Sequence, residues 1–367
     1  MRYLKFVICV TILSFLAGID ASAKGQSLVV TEEFLSPDIT NFDCHRSSII
    51  NTEAGKLCAV WQGGFGEGQS NINLTGNVGI WSSLFDGSHW SEPVEIATVP
   101  HSVCWTPVLC KDTSGELFLF YYAGPNPRRT ISLMKKSEDG GISWSKEELL
   151  PAGIRGPKTK PVVLANGTLI CPSSVEVGEP EDEFKATACW IEISEDKGLH
   201  WKKVGPLELA QRKFGVISPV LFFDKEGHLR MLCRDRAHKI GEKGYIQEAI
   251  SYDGGLHWSE FKQTNFPNPD SGFDVVDLGE GKIVLIYNHS HVNRFPLNLA
   301  FSLDGGDHWS EPFILDSVGE FPSAIVSADG SIHVTYAITS GTSAQRRIKH
   351  IVINQQLLDS LPREGVN

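Results

Sequence analysis

Between Ser137 and Trp309 one eight-residue pattern, S-x-D-x-G-x-x-W, is written four times: Ser137-Asp139-Gly141-Trp144, Ser194-Asp196-Gly198-Trp201, Ser251-Asp253-Gly255-Trp258 and Ser302-Asp304-Gly306-Trp309. A fifth copy, one residue short, ends at Asp86-Gly87-Ser88-His89-Trp90. A pattern recurring at fixed spacing marks a chain built from copies of one small unit, each burying its apolar face against the next. From Trp90 onward the tryptophans of these boxes are 54, 57, 57 and 51 residues apart, which divides the chain into roughly six units. A second register agrees. Gly55, Gly115, Gly167, Gly227, Gly281 and Gly330 each open a short alternating apolar run, and another apolar segment precedes each of them. Each unit therefore reads strand, Gly turn, strand, connection, strand, Asp-containing turn, strand. The expectation is an all-β, six-bladed β-propeller with four antiparallel strands per blade. The sixth unit lacks its outer strand, and Leu28 to Thr31 is expected to supply it and close the ring.

The Asp turns read as structural. Asp accepts backbone N–H groups inside a tight turn, Gly takes the positive-φ position, and Trp packs over the hairpin. The first 23 residues read as a signal peptide, with Arg2 and Lys5 before an apolar run and Ala21-Ser22-Ala23 after it. Residues 24–367 are then one propeller domain, secreted or periplasmic, and no stretch is long enough for a membrane span. A formal charge of −11, with Lys and Arg scattered, argues against a nucleic-acid partner. Seven cysteines follow the leader with no metal-ligand spacing, which fits buried thiols.

Topology then decides which residues meet. In an up-and-down blade the start of strand one, the end of strand two and the start of strand three share one rim, opposite the Gly and Asp turns. The rim gathers Asp43, His45, Arg46 and Glu67; Trp105, Tyr122, Arg128 and Arg129; Lys158, Lys160 and Glu176; Arg234, Asp235, Arg236 and Tyr245; Asp270, Asp274, Asn288, His289, His291 and Arg294; and Glu320, Arg346 and Arg347. A net-acidic chain that collects Arg, Lys and His at one rim suits an anionic ligand, for which Arg is the bidentate clamp. Plain alternatives stand beside these roles. Of Arg234 and Arg236, one is expected to face solvent or a neighbouring blade; His45 suits a hydrogen-bonded core histidine as well; Glu67 lies in a Gly-rich loop; Trp105 and Tyr122 read as packing.

The repeats, with Cys44-His45, Glu67-Gly68, Cys104-Trp105-Thr106-Pro107, Gly156-Pro157-Lys158-Thr159-Lys160-Pro161, Asn268-Pro269-Asp270-Ser271-Gly272 and Arg347-Ile348-Lys349-His350, resemble the Asp-box sialidase (neuraminidase) superfamily and its sialidase-like secreted propellers. The resemblance implies three arginines on a substrate carboxylate, a Tyr nucleophile paired with a Glu, and an Asp acid/base. Arg234 and Arg294 match two clamp positions. The first falls on His45, and the one-residue offset to Arg46 would turn that side chain to the other face. The nucleophile region reads Gly319-Glu320-Phe321-Pro322-Ser323, without a hydroxyl, and the paired Glu is absent where Val216-Ile217-Ser218 opens its blade.

The expected function is a glycoside hydrolase acting on a terminal acidic sugar of a glycan. His45, Glu67, Glu176 and Asp274 are the catalytic candidates. Arg46, Lys160, Arg234, Arg236, His289, Arg294 and Arg347 are the substrate-binding candidates, and no metal or cofactor is called for. A polysaccharide lyase on uronic-acid glycans and a non-catalytic binder of acidic glycans are the alternatives.

Overall fold

The computed structural model describes residues 28–53, 55–65, 78–126, 128–176, 187–210, 214–339, 345–354 and 365–366. The expected leader and Glu67 lie outside them, as does the side chain of Glu176. Every sheet is antiparallel apart from a single parallel pair, and the chain is an all-β propeller.

After β1 (Val29–Phe34) the strands run as meanders. The first is β2 (Phe42–Asn51), β3 (Leu57–Phe65), β4 (Val78–Phe85) and β5 (Val94–Ala97); the second is β6 (Val103–Lys111), β7 (Leu117–Asn126), β8 (Arg129–Ser137) and β9 (Glu148–Leu149). The third is β10 (Val162–Val163), β11 (Leu169–Glu176), β12 (Thr187–Ser194) and β13 (Lys202–Leu207); the fourth is β14 (Val216–Phe223), β15 (Leu229–Asp235), β16 (Tyr245–Ser251) and β17 (Lys262–Pro267). The fifth is β18 (Asp274–Asp277), β19 (Ile283–Asn288), β20 (Leu297–Ser302), the short β21 (Trp309–Ser310) and β22 (Phe313–Asp316). The sixth is β23 (Glu320–Val326), β24 (Ile332–Thr339) and β25 (Arg346–Ile353), and β26 (Gly365–Val366) pairs with β21.

Six separate four-stranded sheets are not what the described residues form. Four four-stranded sheets stand alone, whereas the first two meanders are one eight-stranded sheet, because Val78 of β4 pairs in parallel with Val103 of β6. The last sheet runs β23-β24-β25-β1: the N-terminal strand lies against the C-terminal meander with Val29 opposite Ile353 and Phe34 opposite Lys349.

Alternating apolar residues pack between successive meanders. Ile325, Ala337 and Ile348 of the sixth meet Ile49, Leu57 and Trp61 of the first, so apolar packing joins the two ends of the chain. The repeated turns explain the recurring letters. In each, the Ser hydroxyl accepts the N–H of the box Gly at 2.8 Å and donates to the Asp carboxylate at 2.8–3.0 Å, and the Trp indole donates to the carbonyl of that Gly. The box glycines have φ of 87–95°, a conformation that favours glycine. The seven cysteines after the expected leader are buried free thiols, with Cys189 and Cys233 in contact at 3.5 Å between sulfurs.

What positions the site is a bulge repeated at the rim end of the first strand of several meanders. The register slips at His45/Ser47 in β2, Trp105/Val108 in β6, Ile217/Val220 in β14 and Glu320/Ser323 in β23. One residue in each slip is left-handed: Arg46 at φ 35°, Thr106 at 49°, Ser218 at 50° and Phe321 at 53°. In three of the four a proline follows (Pro107, Pro219, Pro322), which suits a place where the ladder asks for no N–H. Beyond the bulge, side chains latch neighbouring meanders together. Ser48 Oγ accepts Leu109 N at 3.0 Å, Ser323 Oγ accepts Ile49 N at 3.4 Å, and Asp274 Oδ2 accepts Ala324 N at 2.8 Å.

Candidate functional site

The rim residues converge on Phe321, which is almost fully buried. Three guanidinium carbons lie over its ring, Arg46 at 4.5 Å, Arg294 at 5.1 Å and Arg234 at 5.9 Å from the centroid. The His45 ring is 4.7 Å away. These residues come from the first, fourth, fifth and sixth meanders. A phenyl face tolerates cations, each contact contributing about 0.5–2 kcal/mol, and keeps them apart without neutralising them.

Arg46 overturns the expectation that the offset from His45 turns it away. The left-handed bulge breaks the period-two alternation, so His45 and Arg46 both meet Phe321.

Asp270 organises the other arginines. It is buried and left-handed at φ 56°. Its carboxylate lies 3.3 Å from Arg234 Nε and 3.5 Å from Arg236 Nε, and its carbonyl accepts from Arg234 Nη1 at 3.2 Å and Arg294 Nη2 at 2.9 Å. Arg234, near the end of β15, and Arg236, one residue past that end, thus both turn to Asp270, and both are buried. Glu320 holds Arg294 at 3.2 Å with Arg346 at 3.9 Å, and Asp43 holds Arg346 at 2.5 Å. Arg46, Arg234, Arg236, Arg294 and Arg346, with Lys239 at 3.9 Å from Asp270, face Asp43, Asp270 and Glu320, so positive charge is in excess among them. Burial, and then Arg346, Arg46, Arg294 and Arg234 around it, hold the His45 imidazole well below the usual histidine range, so it is neutral at pH 7. Burial, with Arg46, Arg236 and Arg294 facing it, lowers the pKa of Arg234, and Asp270 opposes that shift.

Other expected residues are placed differently. Asp274 is a latch rather than an acid or nucleophile: it accepts Val275 N and Ala324 N and pairs with Lys160. Lys160 is correspondingly spent on Asp274 and on Ser323 Oγ at 3.0 Å, joining the third meander's entry to the fifth and sixth meanders. Arg347 faces the other side of β25 from Arg346, bonded to Asp38 at 3.1 Å and lying over Phe34, away from the cluster. His289 is hydrogen-bonded to the Tyr287 hydroxyl at 2.5 Å and lines a separate cavity. Tyr122 is packing: its buried hydroxyl donates to the carbonyls of Gly156 and Pro157 at 3.0 Å. The sequence put Asp43, Asp270, Glu320 and Arg346 on the rim without assigning them a role; the signal was their place beside the clamp arginines.

With this geometry in view, comparisons with known proteins can be weighed. A family model described as "BNR repeat-like domain" matches residues 55–334. The chain belongs to that family. A search of curated proteins finds no match. Among solved structures, a protein of unknown function from Dyadobacter fermentans superposes with a TM-score of 0.73 at 16% identity, over 89% of this chain and 99% of the other. The Hadza microbial sialidase Hz136 gives 0.69 at 14% identity, over 86% of this chain and 66% of the other. The intramolecular trans-sialidase from Ruminococcus gnavus, in complex with oseltamivir carboxylate, gives 0.64 at 15% identity, over 87% and 96%. At such identities the likeness shows the BNR-repeat propeller as a shared fold, not a shared reaction.

Proposed function

We propose that this protein is an exported, sialidase-like glycoside hydrolase acting on glycans that end in a carboxylated sugar. We further propose that its eight-stranded sheet serves as two blades joined by one parallel pair, giving a ring of six. One observation carries the functional reading: three guanidiniums converge on Phe321. A planar carboxylate is the ligand such a face recognises, and desolvated Arg–carboxylate pairs are strong and directional. The solved sialidase structures of the same fold support it.

The chemistry assigned to the site differs from that of the resemblance. Phe321 stands where a Tyr nucleophile is implied, and a phenyl ring forms no covalent glycosyl intermediate. Among the described residues, the carboxylates at the cluster are each committed to arginine. We therefore assign hydrolysis to direct attack by water, which neutral His45 orients as a hydrogen-bond acceptor, with Glu67 protonating the leaving group and the water's proton passing to solvent. A single displacement inverts the anomeric centre. The test is incubation with sialosides and uronic-acid oligosaccharides, measuring product mass and anomeric configuration. Release of the acidic sugar with inversion, slowed by about tenfold or more in Arg46→Ala and in Arg234→Ala, is expected. Retention, an unsaturated ultraviolet-absorbing product, or release that is unslowed in both variants would overturn the assignment.

Phe321 also favours a second reading, binding without turnover. It predicts saturable binding of the intact acidic glycan with no product. Phe321→Tyr would then be the informative variant, because it sets a phenol among guanidiniums that favour its ionised form.

A further inference from the structure

A cavity of about 400 Å³ opens in the wall between the fourth and fifth meanders, lined by residues that the axial cluster does not use. A bulge creates it. On the outer strand of the fourth meander Gln247 faces Gln263 while Tyr245 faces Pro267, so two steps of β16 span four of β17. Thr264, whose hydroxyl donates to Ile246 O at 2.8 Å, anchors the displaced segment and leaves Phe266 against the fifth meander. Such bulges re-aim side chains beside sites.

The lining is aromatic and polar together. The Phe266 ring stands edge-on to Trp309 at 5.3 Å and to Tyr287 at 5.3 Å. Trp309 is half-buried, and its indole N–H is already held by Gly306 O at 2.9 Å, which fixes the ring. Pairing of β21 with β26 holds the same strand from outside. Above the rings, Arg230 sits between two carboxylates, 3.2 Å from Glu248 and in direct contact with Asp307. Glu248 bonds Arg230 through Oε1 and Asp307 through Oδ1, and Lys262 is the cation of the lining itself. Asp224 lies 3.7 Å from Arg230 Nε as a third acid, so three carboxylates face two cations and this wall is net acidic, unlike the axial cluster.

We propose that this cavity is a second carbohydrate site that takes a neutral pyranose. A fixed aromatic wall accepts the apolar face of a sugar ring, and oriented carboxylates accept its hydroxyls; the excess of acids disfavours an acidic sugar. The site would hold a neutral part of a glycan independently of what the axial arginines bind.

Saturation-transfer NMR and calorimetry with lactose, cellobiose and maltose test it on the full chain. At least one disaccharide is expected to bind, and Asp307→Asn and Glu248→Gln should each weaken it by about fivefold or more, the usual loss of a charged hydrogen-bond acceptor. Trp309→Phe, which keeps a ring, should weaken it less than Trp309→Ala. Arg234→Ala should leave neutral-sugar binding unchanged, and Asp307→Asn should leave acidic-sugar binding unchanged, so that the two sites fail separately. Absence of transfer from all three sugars, equal binding in Asp307→Asn and Glu248→Gln, or loss of neutral-sugar binding in Arg234→Ala would overturn the proposal.

Discussion

Asp270→Asn isolates the electrostatics of the axial cluster. Asparagine keeps the size of the side chain and tolerates φ 56°, so only the charge is removed. The carboxylate lies 3.3 Å from Arg234 Nε and 3.5 Å from Arg236 Nε, and both guanidiniums are buried. At an effective dielectric of about 20 each pair is worth roughly 5 kcal/mol of Coulomb energy before desolvation. Removing one partner of a buried pair costs about 3–5 kcal/mol in practice, because a charge is left uncompensated. At about 2–4 °C per kcal/mol, the unfolding midpoint should fall by roughly 10 °C. Acidic-ligand affinity should fall without vanishing, since the backbone carbonyl of Asp270, which still holds Arg234 and Arg294, is untouched. Calorimetric unfolding with and without Arg236→Met is the assay: the double variant should recover part of the loss. A destabilisation under about 1 kcal/mol would refute the claim that Asp270 neutralises these arginines.

Arg46→Ala should weaken acidic-sugar binding by about tenfold or more, the loss of one charge-assisted contact, whereas Arg347→Ala should leave it within about twofold; titration calorimetry on both checks the assignment of faces. Lys160→Met should destabilise by about 3 kcal/mol, because Asp274 stays buried without its cation, and thermal melts would show it. His333 and His350 are buried, stacked and share a hydrogen bond of 3.0 Å; burial first, and for His333 its neighbour's charge, push both down to about 4. Their stabilising contribution is therefore present above about pH 6.5, the unfolded value, and lost as the pH falls through about 4. Unfolding midpoints across that window should decline, and His333→Gln should flatten the decline. Gly306→Ala forces an alanine to φ 94° and should cost about 1–3 kcal/mol in denaturant unfolding.

Much of the fold was legible because it is local and repeated. Ser, Asp, Gly and Trp in each turn bond to one another within eight residues, so the letters and the geometry are the same fact. The apolar stretch around Val29 could be matched to the unpaired Ile348–Ile353 because an unfinished sheet needs an edge. The roles of rim residues were less legible. Whether Arg46 or its neighbour faces the axis turns on one left-handed residue, which sequence alternation does not encode. That Asp274 latches and Asp270 organises depends on partners across the ring: Asp274 meets Lys160 and Ala324, while Asp270 meets Arg234, Arg236 and Arg294.

By itself the sequence determined the repeating strand-and-turn unit, the strand closing the last sheet, and the set of charged residues available at one rim. Tertiary structure decided which of them face one another. Short-range hydrogen bonding and side-chain alternation are written residue by residue. The meeting of four side chains on Phe321, by contrast, depends on bulges and on packing between strands hundreds of residues apart.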